Sequence, residues 1–129
     1  MGEAEEEFGC DICWPASAEA AYGALRKLQT VSDLTDESHF IVRVVACHSC
    51  GQRFLTVFTE MIDWEDGDDP CSRRRLPLTE RQAQMLWKEP SEELLTAIAP
   101  SRKCLAFDWP KGGAKSVRWV QGLQILPHD

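Results

Sequence analysis

No stretch of the sequence reaches 18 consecutive apolar residues, which excludes a helical membrane span. The first eight residues, Met1 to Phe8, carry four glutamates and no apolar stretch, so they do not read as a secretory signal. The expected setting is therefore cytoplasmic and reducing. Histidine is scarce, with three isolated residues, and no G-x-S-x-G, H-E-x-x-H, P-loop or G-x-G-x-x-G motif is present. Nothing here raises the case for an enzyme. Basic side chains are outnumbered, 14 against 21 acidic ones, for a net charge of -7. That balance opposes a dedicated nucleic-acid binder, whose affinity comes from neutralising phosphates. Internal repeats of solenoid length and low-complexity segments are also missing.

What is present fits one soluble globular domain of 129 residues, 43% hydrophobic and 27% charged. Residues 1–9 read as a flexible acidic lead-in and 10–129 as a single domain. Cysteine carries the information. Of six cysteines, four form two C-x-x-C pairs, Cys10–Cys13 and Cys47–Cys50. In a reducing compartment such pairs read as a zinc site before a disulfide framework. Cys71 and Cys104 lack metal-type neighbours and read as small buried or half-buried hydrophobes.

The apolar pattern predicts a helix over 16–29, with Ala18, Ala21, Tyr22, Leu25 and Leu28 at helical spacing. Thr30–Ser38 reads as a polar turn. A strand is expected over 39–47, with Phe40, Val42, Val44 and Ala46 on one face. A second strand, Gln52 to about Ile62, has mixed faces and reads as central. Asp63–Pro70 is an acidic loop, followed by Arg73–Arg75. Thr79 and Gln82 form a capping-box pattern for a helix to about Glu89, with Ala83, Leu86 and Trp87 inward. Ser91 caps a second short helix ended by Pro100. Strands are expected over 103–108 and from Val117 to Leu126, the latter bulged at Gly122.

The second cysteine pair lies between two strands and is followed by Gly51, which can take the positive φ of a tight turn. Strand, C-x-x-C-G, strand resembles the zinc knuckle of the zinc-ribbon superfamily. The resemblance covers Cys10–Cys13 and roughly Phe40–Ile62. It implies one structural Zn²⁺ held by Cys10, Cys13, Cys47 and Cys50, two ligands from each knuckle. Two features depart from the family pattern. The first pair is followed by Trp14-Pro15 and a helix, and residues 14–46 make a long spacer. A helical insertion or a treble-clef-like rearrangement accounts for both. A shell of four thiolates leaves no position for water or substrate, so the metal's role is structural. His48, inside the knuckle, is an alternative ligand. A redox dithiol is the competing reading. It needs its first thiol at a helix N-terminus, which only Cys10–Cys13 could offer.

The acidic loop fails the calcium-loop pattern. Counting from Asp63, the sixth residue is Asp68 rather than glycine, and the twelfth is Arg74 rather than glutamate. It reads either as a solvated loop or as a docking surface for a basic partner, with Trp64 as anchor beside Glu65, Asp66, Asp68 and Asp69. The arginine triplet is expected to pair with this loop. Arg102, Lys111, Lys115 and Arg118, with Phe107, Trp109 and Trp119 nearby, form a candidate surface for single-stranded nucleic acid.

The fold expected from these signals is α+β. An antiparallel sheet of three to five strands, with two or three short helices, is stapled by zinc to the N-terminal segment. The expected function is non-enzymatic: a small acidic zinc protein acting on another protein, of a size and charge that suit an inhibitor or immunity-type protein. A zinc-ribbon nucleic-acid or transcription-associated module and a C-x-x-C thiol redox protein are the alternatives.

Overall fold

A computed structural model describes residues 8–128. The elements in chain order are α1 (Ala18–Gly23), a 3-10 turn (Ala24–Lys27), β1 (Leu28–Glu37), β2 (Phe40–Cys47) and β3 (Arg53–Glu60). They continue with β4 (Cys71–Leu78), α2 (Glu80–Lys88), α3 (Glu92–Ala97), β5 (Lys103–Trp109) and β6 (Ser116–Gln121). The six strands form one antiparallel sheet in the order β1-β2-β3-β4-β5-β6. Each strand pairs with its sequence neighbour, so the sheet is a meander. The α+β class stands. The expected three to five strands become six.

Two strands lack a sequence signal. β1 occupies most of the segment expected to be a polar turn, and it ends the predicted helix early. It is an edge strand with irregularities between Thr30 and Ser32 and between Asp33 and Thr35. Those shifts break the alternation that marks a strand, while bulges and charge keep an edge from pairing with other chains. β4 contains Arg73-Arg74-Arg75 and Pro77, both adverse signals. Its residues are nonetheless mostly buried. Pro77 is tolerated because β5 pairs only with Cys71–Arg75, so no ladder bond to β5 is lost at Pro77.

The two faces of the sheet are covered differently. On the first, Phe40, Val42, Val44, Leu55, Val57, Leu76, Leu78 and Cys104 pack under Leu86 of α2, Leu95 of α3, and Leu123. The capping box is formed, with Thr79 accepting from the Gln82 N–H and Gln82 accepting from the Thr79 N–H. Leu86 points inward as expected, but Trp87 is exposed. Ser91 caps α3 by accepting from the Leu94 N–H. On the second face, Cys13, Val45 and Phe54 form one cluster, and Ala18, Ala21 and Leu105 another; Trp14 packs against both. β6 stops at Gln121 rather than running to Leu126. Gly122 has φ of +74°, and a Cβ there would lie 2.5 Å from the Pro100 carbonyl oxygen.

Of the acidic lead-in expected over 1–9, residues 1–7 lie outside the described residues. The Phe8 ring lies under the Arg102 guanidinium, 4.5 Å away, and the Gly9 N–H donates to Gln52 Oε1 at 3.0 Å.

Candidate metal centre

The β2–β3 connection carries the second cysteine pair. Cys47 closes β2, the Gly51 N–H donates to the Cys47 carbonyl at 3.0 Å, and Gly51 takes φ of +79°. The turn therefore brings Cys47 and Cys50 to one side. The first pair forms its own turn, with the Trp14 N–H donating to the Cys10 carbonyl at 2.8 Å. Its preceding residue is also a glycine in the left-handed region, Gly9 at +71°.

These two turns meet. The sulfurs of Cys10, Cys13, Cys47 and Cys50 all lie within 4.8 Å of one another. Cys10 Sγ is 3.8 Å from Cys13 Sγ and 3.9 Å from Cys47 Sγ, and Cys13 Sγ is 3.8 Å from Cys50 Sγ. A tetrahedral centre with metal–sulfur bonds of about 2.3 Å requires sulfurs about 3.8 Å apart. Three of the sulfur pairs have this spacing and the others lie within 4.8 Å, so the four cysteines could hold a metal ion.

Backbone amides aim at the sulfurs. The Cys10 N–H donates to Cys13 Sγ, and the Ser49 N–H donates to Cys47 Sγ, each at 3.3 Å. Burial alone would raise the Cys47 thiol, but the N–H groups of Cys50 and Ser49 and the neighbouring sulfurs outweigh it and bring it to about 7. Burial pushes the Cys13 and Cys50 thiols up.

Three supporting features were not legible as functional residues. Gln52 ties the turns together: its Oε1 accepts from Gly9, and its Nε2 donates to the Arg53 and Leu78 carbonyls, both at 2.8 Å. Trp14 packs on Phe54 and Trp119, with centroids 5.1 and 4.8 Å away. Gly9 leaves room for Cys13 and Trp14. Only the positive φ of Gly51 had a sequence signal, the glycine directly after a C-x-x-C. His48 is exposed and stands outside the sulfur cluster. Cys71 is half-buried and Cys104 buried, and neither belongs to a metal-type group among the described residues. Cys10 does not start a helix; α1 begins at Ala18.

The acidic loop is braced from within. Asp63 accepts from the N–H groups of Glu65, Asp66 and Asp68, and Asp69 accepts from the Asp63 N–H at 2.7 Å. Lys111 pairs with Asp63 at 3.1 Å and Asp66 at 3.3 Å, and the Gly112 N–H donates to Asp68. Those N–H bonds, together with Lys111, hold the Asp63 carboxyl below its ordinary range. Trp64 stands outside this bracing and is 88% exposed.

The arginine triplet does not pair with that loop, because consecutive strand residues face opposite sides. Arg74 turns to the first face and pairs with Asp108 at 2.8 Å. Arg75 turns to the second and donates to the Ala21 carbonyl at 2.7 Å. Arg73 lies over the Phe58 ring.

The residues offered as a nucleic-acid surface are engaged separately. Arg118 pairs with Asp108, and Arg102 donates to the Pro77 carbonyl and Gln82. Lys115 lies over Trp109, and Lys111 belongs to the acidic loop. Trp119 is half-buried and donates to the Ala16 carbonyl.

Comparison with family models, with curated proteins and with solved structures finds no match to this chain. Among the described residues, no helix is long and apolar enough to cross a membrane.

Proposed function

We propose that this chain is a non-enzymatic binding protein whose fold is stapled by one structural Zn²⁺ on Cys10, Cys13, Cys47 and Cys50. The observation that carries the metal reading is the spacing of the four sulfurs, all within 4.8 Å. Four thiolates suit zinc in a reducing compartment, and a closed shell has no open position for a reacting ligand. Zinc then joins the N-terminal segment to the β2–β3 turn, across 37 residues of sequence.

The working surface in this reading is the loop 61–70. Trp64 projects from a backbone fixed by Asp63, and Glu65 and Asp66 flank it. An exposed tryptophan on a pre-ordered, acidic loop is suited to anchor a basic protein partner, because little order remains to be imposed on binding.

Elemental analysis of natively purified protein, with thiol counts before and after chelation, tests the metal reading. One zinc per chain and four thiols freed by chelator and denaturant are expected. Absence of metal, with one C-x-x-C pair cycling reversibly, overturns it in favour of thiol redox chemistry. Amine-to-carboxylate crosslinking of the native chain and of Trp64→Ala with the same partner mixture tests the surface. A partner equally captured by both removes Trp64 from the interface.

A further inference from the structure

The second face of the sheet is closed at the metal-centre end and under α1, and open beyond. A cavity of about 390 Å³ lies there across β1 to β5, within the range of small-molecule sites. Its lining includes Arg43, Arg73, Arg74 and Arg75 and no aspartate or glutamate. That is the reverse of the chain's overall charge of -7.

Two of these arginines are neutralised elsewhere. Arg43 pairs with Asp33 at 2.6 Å, and Arg74 pairs with Asp108 on the first face. Arg73 and Arg75 have no carboxylate partner among the described residues. Arg75 is only 5% exposed. Its Nη1 donates to the Ala21 carbonyl, but its buried Nε has no partner. Burial pushes its pKa down to about 10. A carbonyl supplies one hydrogen bond and no countercharge. A buried guanidinium without an anion is costly, and an apolar side chain of similar size would ordinarily be preferred there.

The walls beside it are aromatic. Phe58 carries the Arg73 guanidinium 4.9 Å above its ring, and Tyr22 stacks on Phe107 at 4.7 Å with planes 6° apart. We propose that this cavity binds a small organic oxyanion, its head on Arg75 and Arg73 and its apolar body against Phe58 and the Tyr22–Phe107 pair. Carboxylates and phosphate monoesters share this chemistry, since a guanidinium fork matches both. No cysteine and no residue of the acidic loop lines this cavity, although Val45 joins it to the Cys13 cluster.

The test uses the zinc-loaded full chain, titrated calorimetrically and by amide chemical shifts. The probes are phenylphosphate and phenylacetate, with benzyl alcohol as the neutral body and inorganic phosphate as the head alone. At least one aromatic anion is expected to saturate at one per chain, shifting amides over 56–58, 73–75 and 105–107. The tighter of the two identifies the head group. Either fragment alone should bind about tenfold more weakly or worse. Arg75→Met and Arg73→Ala should each weaken binding about tenfold. Arg73 is exposed, so its variant keeps the test valid if Arg75→Met does not fold. The proposal is overturned if neither anion saturates at millimolar concentration, if benzyl alcohol binds as well, or if Arg73→Ala binds like the native chain. Zinc content is read in the same samples and should not change, so failure here leaves the metal reading standing.

Discussion

Gly9 and Cys13 are packed so closely that a Cβ on residue 9 would lie 2.9 Å from the Cys13 sulfur. The same Cβ would lie 2.7 Å from Trp14 Cβ, and Gly9 has φ of +71°. Gly9→Ala therefore forces both a left-handed alanine and a displaced ligand. A loss of about 2 kcal/mol or more is expected, together with weaker metal retention under chelator competition. A Gly9→Ala chain with unchanged midpoint and zinc content would remove Gly9 from the site's construction.

Cys47→Ser removes one of the four thiols and leaves a hydroxyl, a poorer zinc ligand, under the Ser49 N–H. The zinc-loaded form should lose its metal, and the thermal midpoint should fall to that of the chelated native chain. Structural zinc carries about 10 kcal/mol or more of apparent binding energy near neutral pH, which is folding energy in a small domain. Unfolding curves of native and variant chains, with and without chelator, check this. Persistence of the native midpoint and zinc content in Cys47→Ser would sink the four-cysteine centre.

Asp108 holds Arg74, whose side chain is 2% exposed, and also pairs with Arg118. Burial alone would raise the Asp108 pKa, but the hydrogen bonds from Arg74 and Arg118 outweigh it and lower the value. A lowered carboxyl contributes stability above the unfolded value of 3.8 and loses it as the pH falls through the folded value. Asp108→Asn should cost about 3 kcal/mol at neutral pH, because it leaves Arg74 buried without a full countercharge. The gap between native and variant should close as the pH falls below 3.8. Comparing the two chains separates this from metal loss in acid, which both share. A gap independent of pH would contradict the ion-pair account.

Neutralising Asp66, Asp68 and Asp69 together should leave the thermal midpoint almost unchanged, since Asp66 and Asp68 are exposed, Asp69 is only half-buried, and none belongs to the three apolar clusters. It should speed amide exchange at residue 63, where Asp69 accepts, and at Gly112, where Asp68 accepts. A large loss of stability would mean the loop supports the fold rather than decorating it.

The sulfur cluster was legible because its four members stand in two C-x-x-C pairs, a short, fixed spacing in the sequence. Both capped helices were legible because Thr79, Gln82 and Ser91 act on residues three positions away. The strands that escaped notice are those whose identity depends on distant partners. β1 reads as a polar turn because only one neighbour supports it and two irregularities scramble its alternation. β4 hides behind three arginines, of which Arg74 pairs with Asp108, Arg75 donates to the Ala21 carbonyl and Arg73 lies over the Phe58 ring. The arginine-lined cavity is equally invisible in one dimension, because it draws residues from five strands and α1. Gln52 and Gly9 carry no motif beyond adjacency to the cysteines.

Within the meander each strand finds its partner next door, but the segment before β1 does not. It meets the β2–β3 turn at the cysteines, and Ala16 receives the Trp119 indole across 103 residues. During synthesis, this stretch leaves the ribosome well before β6 and must wait for it before both of its anchors exist. Until then the strap ahead of β1 is tied at one end only, so the arrival of β6, some hundred residues later, decides when it locks.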